Sequence, residues 1–111
     1  FSVIKNVDAV IGNSSSGLSE VPSFKKPTIN IGLRQKGRIR SKSIIDIENI
    51  SSTKLSHSLK KIKSKTFLKL VSKSKNPYYK KNKTKNILKI LRGLNLNKIN
   101  QKNFFDIGKN F

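Results

Sequence analysis

The sequence predicts an α/β domain of the doubly wound type, and three observations carry that prediction. Asp8 to Gly12 (DAVIG) is a short apolar run closed by a glycine, the form taken by a strand buried in a parallel sheet. Gly12-Asn13-Ser14-Ser15-Ser16-Gly17 is a polar turn leading into a short helix from Gly17 to about Phe24, with Ser16 available as its N-cap. Pro27 marks a break, and Thr28 to Ile31 reads as a second short strand, followed by Gly32. Strand, turn, helix, strand is the grammar of doubly wound folds, in which ligands sit beyond the carboxyl ends of the strands. GNSSSG falls at that position. Residues 8–12 and 28–31 are therefore expected to be adjacent parallel strands with the helix packed between them.

The other elements follow in order. Residues 1–7 read as the end of a helix. Residues 33–42 (LRQKGRIRSK) form a basic, glycine-containing loop, and Ser43 to Ile47 reads as a third strand. Leu55, Leu59 and Ile62 fall at i, i+4 and i+7, the stripe of an amphipathic helix that Ser51, Ser52 or Thr53 can cap. Phe67 to Val71 continues that helix or starts a second one, and Asn76-Pro77 signals a turn. Ile87, Ile90, Leu91 and Leu94 predict a last amphipathic helix over 83–92, ending near Gly93. Residues 1–92 are read as one domain and 93–111 as a loosely ordered Lys/Asn-rich tail.

Composition narrows the function classes. A chain of 111 residues allows one domain at most. It begins with Phe1 and contains no Met, so we read it as an internal or C-terminal piece whose active site is completed upstream. The absence of Cys excludes disulfides and thiolate ligands. No apolar run is long enough to span a bilayer, and a soluble cytoplasmic protein is the expectation. The net charge of +20 invites a nucleic-acid reading, but its distribution opposes one. Residues 1–50 hold eight Lys+Arg against four Asp+Glu, and residues 51–111 hold seventeen against one. Only Arg34, Arg38, Arg40 and Arg92 are arginines; the rest are lysines among Asn, Ile, Ser and Phe, all but Ser encodable by AT-rich codons. Base bias suffices to explain the charge. Nucleic-acid readers also favour Arg and stacking aromatics, and aromatics are few here. A basic nucleic-acid-binding module stays as the alternative from a different class.

The chemistry concentrates in GNSSSG. Unpaired N–H groups and a positive dipole end at a helix N-terminus attract anions. Gly12 permits a tight turn, Gly17 allows close backbone approach by a ligand, and Ser14, Ser15 and Ser16 add hydroxyl donors suited to phosphate oxygens. The segment is neither a P-loop nor a GxGxxG fingerprint. On spacing alone, a diphosphate cradle and an ordinary helix-capping loop stand side by side. Glu20, one turn on, can accept two hydroxyl donors such as a ribose diol; the residues alone favour the plainer role of complementing the helix end. Arg34-Gln35-Lys36-Gly37-Arg38 can fold over a phosphate or remain a solvated basic turn, with Arg34 the best placed. His57 reads as a surface histidine. No His cluster suggests a metal, and no carboxylate pair or Ser-His-Asp arrangement supplies a general base.

Val10 to Ile47 resembles the hydrolysing UDP-N-acetylglucosamine 2-epimerases. The elements that carry the resemblance are GNSSSG, Glu20 with Pro22 after it, Pro27 followed by Asn30-Ile31-Gly32, and Arg34-Gln35 with Gly37-Arg38. Asn76-Pro77-Tyr78 resembles the family's Asn-Pro-Tyr-Gly segment, with Tyr79 and Lys80 in place of Gly-Asp. The resemblance covers about residues 1–92. It implies the C-terminal, Rossmann-like half of a glycosyltransferase-B-type two-lobed fold, with UDP held mainly by this lobe. Carried over by position, it implies diphosphate contacts at Ser14 and Ser15, ribose hydroxyls on Glu20, and Arg34 near the uridine or phosphates; Gly17 is read with them as part of the UDP site. The implied substrate is UDP-N-acetylglucosamine, converted to N-acetylmannosamine by anti-elimination of UDP and hydration, in sialic-acid-type sugar synthesis. Catalytic carboxylates and a histidine are implied upstream of residue 1, on an N-terminal lobe of a homo-oligomeric enzyme. No metal or redox cofactor is implied. A non-hydrolysing or diacetamido-sugar epimerase is the near alternative, and the Asn-Ile-Gly-x-Arg-Gln run favours the hydrolysing branch.

Overall fold

The structure, a computed structural model, describes residues 2–94. Helix α1 (Ser2–Asn6) leads into β1 (Val10–Gly12), and α2 (Ser16–Ser19) with a 3₁₀ turn (Val21–Phe24) leads to β2 (Thr28–Ile31). Then come β3 (Ile44–Ile47), α3 (Ser52–Lys63), α4 (Lys65–Lys73) and α5 (Lys83–Arg92). The three strands form one parallel sheet in the order β1-β2-β3. Ile11 lies opposite Ile29, and Ile29 opposite Ile45. All carboxyl ends therefore share one edge, where Gly12 and Asn13, Gly32, and Glu48 emerge. The expected adjacency of 8–12 with 28–31, and the α/β class, are what the structure has.

The helix expected from Gly17 to about Phe24 needs correction. It is one α-turn followed by a separate 3₁₀ turn, with Glu20 closing the first and preceding the second. The reason is Pro22. Having no N–H, it cannot continue the i→i−4 ladder, and the chain tightens to Ser23 N→Glu20 O (2.9 Å) and Lys25 N→Pro22 O (3.2 Å). Lys25, at φ 55°, then turns left-handed and ends the element. Ser16 is also not the N-cap. Ser15 holds that position in a helical conformation, without a side-chain cap bond, and Ser16 is the first helical residue.

Strand alternation sorts β2 into two faces. Ile29 belongs to a core with Ile47, Ile62, Phe67 and Val71, against which Ile31, Ile45, Leu55 and Leu59 pack. The predicted stripe on α3 is what reaches this core. Ser51 caps α3 by accepting from Lys54 N (3.2 Å), and Ser64 caps α4 by accepting from Phe67 N (3.3 Å), so the chain restarts as a second helix. Burying each large apolar side chain contributes about 1.5–3 kcal/mol. Leu18, Val21, Pro22 and Pro27 are also fully buried. On the other side of β2, Thr28 is buried under α2 and Asn30 donates to Asp46 Oδ1 at 2.6 Å.

The β2–β3 connection carries no helix. It is a run of turns that starts at the carboxyl edge, where Gly32 N donates to Ile47 O (2.8 Å), and returns to the amino edge, where Thr28 N donates to Ser43 O (3.0 Å). Its first half is therefore held at the carboxyl edge of the sheet. Residues 1–80 form one compact unit, and α5 belongs to a second unit from Lys81 onward. Within α5 every residue is exposed. The lysines of residues 51–94 are all exposed, as their positions off the apolar stripes require. The tail from 95 on lies outside the described residues.

Candidate functional site

The GNSSSG turn sits at the carboxyl end of β1. Gly12 has φ +155°, a conformation that L side chains rarely adopt, so the strand-to-turn exit needs glycine. Ser14 O accepts from Gly17 N (3.2 Å), and Ser14 Oγ accepts from Ser16 N (3.3 Å). Ser15 O accepts from Leu18 N and Ser19 N, both at 3.0 Å. Among the described residues, the N–H groups of Ser14 and Ser15 and the Ser15 hydroxyl have no protein partner. Both serines are exposed. The turn thus presents free donors to solvent at the sheet edge where ligands bind. Because α2 has a single turn, few peptide dipoles align behind it, and the expected dipole contribution shrinks.

Gly17 has a different role from close ligand approach. It is buried, and a Cβ there would lie 2.9 Å from Thr28 Cγ2. Thr28 Oγ1 also donates to Gly17 O at 2.9 Å. Glycine at this position lets α2 lie directly on β2.

Glu20 is half-buried at the end of α2, and Ser16 Oγ donates to its Oε2. The hydroxyl expected to cap the helix instead holds a carboxylate one turn on. Arg34 is exposed and has no ion-pair or hydrogen-bond partner among the described residues. Gly32, at φ +79°, turns the chain out of β2 just before it. Arg40 is not a free cation: its Nε lies 2.9 Å from Asp46 Oδ2. A cleft of about 240 Å³ lined by Gly32, Leu33, Lys36, Arg40, Asp46 and Glu48 opens at the same edge.

Gln35 and Asn76, singled out from the sequence only as members of the basic loop and of a turn, draw these parts together. Gln35, 3% exposed, donates from Nε2 to Asn13 O at 2.7 Å and ties the basic loop to the serine turn. Asn76 donates from Nδ2 to Ser19 O (2.8 Å) and Ser23 Oγ (2.6 Å), while its Oδ1 accepts from Tyr78 N (2.9 Å). Tyr78 OH then donates to Ile39 O at 3.1 Å. Three segments far apart in sequence, 12–20, 32–40 and 76–78, meet in one assembly. Nothing in local composition marks Gln35 or Asn76 as anchors; for Gln35 burial of a polar side chain is the signal, for half-buried Asn76 it is the bonds to Ser19 and Ser23, and only the fold displays either. A groove of about 500 Å³ lined by Pro22, Ser23, Lys25, Lys75, Asn76 and Tyr79 involves none of the predicted site residues. Among the described residues, no three His, Cys, Asp or Glu side chains converge as a metal site would require, and no helix is long and apolar enough to cross a membrane.

Residues 1–92 match the family model described as UDP-N-acetylglucosamine 2-epimerase. The chain is 42% identical over 106 residues to polysialic acid biosynthesis protein P7 of Escherichia coli, covering 95% of this chain and 27% of that protein. It is 48% identical over 107 residues to the GDP/UDP-N,N'-diacetylbacillosamine 2-epimerase (hydrolyzing) of Campylobacter jejuni, covering 96% of this chain and again 27% of the relative. A 43-residue stretch, 39% of this chain and 11% of the relative, is 42% identical to the UDP-N-acetylglucosamine 2-epimerase of Neisseria meningitidis serogroup B. The chain spans about a quarter of the length of the first two relatives.

Proposed function

The chain belongs to the UDP-N-acetylglucosamine 2-epimerase family, and on that premise we propose that it is the UDP-holding segment of a hydrolysing UDP-sugar 2-epimerase in sialic-acid-type sugar synthesis. The observation that carries the reading is the Gln35–Asn13 hydrogen bond. It brings the cationic loop of β2 to the free donors of the serine turn on β1, at the edge of the sheet where nucleotides bind. Ser14 and Ser15 donate to the diphosphate. Glu20, with one oxygen held by Ser16, accepts from the ribose hydroxyls. Arg34 supplies positive charge to the phosphates. Gly17 serves the site indirectly, by letting α2 sit on β2.

The overall reaction is UDP-N-acetylglucosamine plus water giving N-acetylmannosamine plus UDP. Loss of the C2 proton and rupture of the C1–O bond release UDP and leave a C1–C2 double bond. Water then adds its hydroxyl at C1 and a proton at C2 on the opposite face, inverting C2. Negative charge grows on the leaving diphosphate, so donors and cations fixed around it stabilise the transition state more than the ground state. This chain supplies that part. The groups that move protons are assigned to the rest of the enzyme, on an N-terminal lobe; a cytoplasmic homo-oligomer is part of the same proposal.

A second reading is supported by the 48% identity to the Campylobacter relative, whose name specifies a diacetamido sugar. Here the same UDP grip serves a different sugar. The test of both is UDP release by the full-length protein from UDP-N-acetylglucosamine and from UDP-N,N'-diacetylbacillosamine, with mass spectrometry of the freed sugar. N-acetylmannosamine is the expected product. Release from the diacetamido substrate alone selects the second reading, and release from neither removes both.

A further inference from the structure

Gln35 is an unusual residue for its surroundings. Leu33, Arg34, Lys36, Gly37 and Arg38 are all exposed, yet Gln35 between them is 3% exposed. Its Nε2 donates to Asn13 O, and its Oε1 is buried with no hydrogen-bond partner. A buried acceptor left unmade costs stability, and an apolar side chain of the same volume would fill the space without that cost. Packing alone therefore does not call for glutamine. The one feature an apolar substitute cannot reproduce is the tether to Asn13, the residue immediately before Ser14 and Ser15.

We infer that Gln35 is a positioning residue: its hydrogen bond to the Asn13 carbonyl docks the loop against the serine turn and thereby aims Arg34 at the diphosphate. The inference rests on the UDP site proposed above. The loop has one hold on the turn, through Gln35, and another at its far end, where Tyr78 OH donates to Ile39 O. Between these holds the backbone folds tightly, with Lys36 N→Leu33 O at 2.9 Å, Arg38 N→Gln35 O at 3.3 Å, and Gly37 at φ +80°. Loss of the Gln35 hold leaves the Arg34 segment tied to β3 through Gly32 N→Ile47 O (2.8 Å) but no longer to the serine turn. Arg34 has no hydrogen-bond or ion-pair partner of its own among the described residues, so nothing else there fixes its guanidinium.

The test is a double-mutant cycle in the full-length protein, with UDP and uridine affinities from calorimetry and the thermal midpoint measured alongside. Gln35→Met keeps the volume and removes the donor; Gln35→Ala stands in if the Met variant fails to fold. Arg34→Ala is expected to weaken UDP binding about tenfold or more, the scale of a hydrogen bond to a charged group, and Gln35→Met about three- to tenfold, the scale of a hydrogen bond between neutral groups. In the Arg34→Ala background, Gln35→Met should change UDP affinity by less than about twofold, because the two act as one unit. Uridine affinity should hold in both, and the thermal midpoint of Gln35→Met should not fall. Additive losses, or an Arg34 effect with no Gln35 effect, overturn the positioning role and leave the UDP site standing. No binding of UDP, or no effect of Arg34→Ala, overturns the site itself and the inference with it.

Discussion

Thr28 and Gly17 are locked together by two contacts. Thr28 Oγ1 donates to Gly17 O at 2.9 Å, and Thr28 Cγ2 occupies the space a Cβ on Gly17 would need. Gly17→Ala gains helix propensity of up to about 1 kcal/mol but overpacks a buried contact at about 1–3 kcal/mol. A net destabilisation is expected in denaturant titration. Thr28→Ser removes Cγ2 and keeps the hydroxyl, so the double variant should recover most of the loss. Equal stability of Gly17→Ala and the parent would show that the contact relaxes freely.

Ser15 is a clean probe of ligand binding, because its hydroxyl has no protein partner among the described residues. Ser15→Ala in the full-length protein should weaken UDP binding by about 1–3 kcal/mol with an unchanged thermal midpoint. Glu20→Gln should weaken uridine nucleotides without unfolding the protein. Ser16→Ala, which releases the held Glu20 oxygen, should act in the same direction but less strongly. Calorimetry separates these outcomes. Unchanged affinity in both Ser15→Ala and Glu20→Gln removes the site assignment even though the fold stands.

Asn76 satisfies Ser19 O at the end of α2 and Ser23 Oγ in the 3₁₀ turn. Asn76→Ala leaves these groups without that donor and should cost about 1–3 kcal/mol. Asn76→Asp should cost more, since a carboxylate then faces the Ser19 carbonyl. Urea melts of both variants test this order. A smaller loss in Asn76→Asp would mean that the amide donor is not what holds the turn.

The charge of the second half is expected to be dispensable residue by residue. Lys65, Lys69 and Lys73 are exposed on α4, and their individual replacement by Gln should stay within about 0.5 kcal/mol. On the same helix, Phe67→Ala should cost about 3–5 kcal/mol, and Ile62→Ala on α3 about 2–5 kcal/mol, because both fill the core beside Ile29. Duplex DNA binding abolished by neutralising these lysines would reverse the base-composition account of the charge.

The 111-residue chain alone is expected to release no UDP from UDP-N-acetylglucosamine. Among the described carboxylates, Asp46 pairs with Arg40, Glu20 is assigned to the ribose, and Asp8 and Glu48 make no carboxylate pair, since Asp8 precedes β1 and Glu48 follows β3 at the opposite edge of the sheet. UDP release by the purified chain, lost on mutation within it, would place the proton-moving groups here after all.

Much of this was legible in the residues because short-range physics determined it. Short apolar runs closed by Gly12 and Gly32 mark the first two strands, and Ser43 to Ile47 reads as the third. The Leu55/Leu59/Ile62 stripe, and Ser51 among its candidate caps, marked α3. GNSSSG was placed at a ligand-binding strand end by topology alone. Where the reading erred, a local cue had two possible partners. Ser16 has the chemistry of a cap, yet its hydroxyl meets a carboxylate four residues on, and Pro22 splits the helix expected from Gly17 to about Phe24. Gly17 looked like room for a ligand, and the room is taken by Thr28.

What the sequence by itself determined is the class of fold, the position of the serine turn, and the family in which that turn belongs. These follow from the period of apolar residues and from a handful of motif residues close together in the chain. Only the tertiary structure decided which side chains assemble the site. Gln35 reaching Asn13, Asn76 reaching Ser19 and Ser23, and Tyr78 reaching Ile39 join residues 22 to 57 positions apart. No periodicity encodes such contacts. Gln35 meets Asn13 because a parallel sheet brings successive carboxyl ends to one edge, and the other contacts exist because the chain after α4 folds back over α2 and the loop.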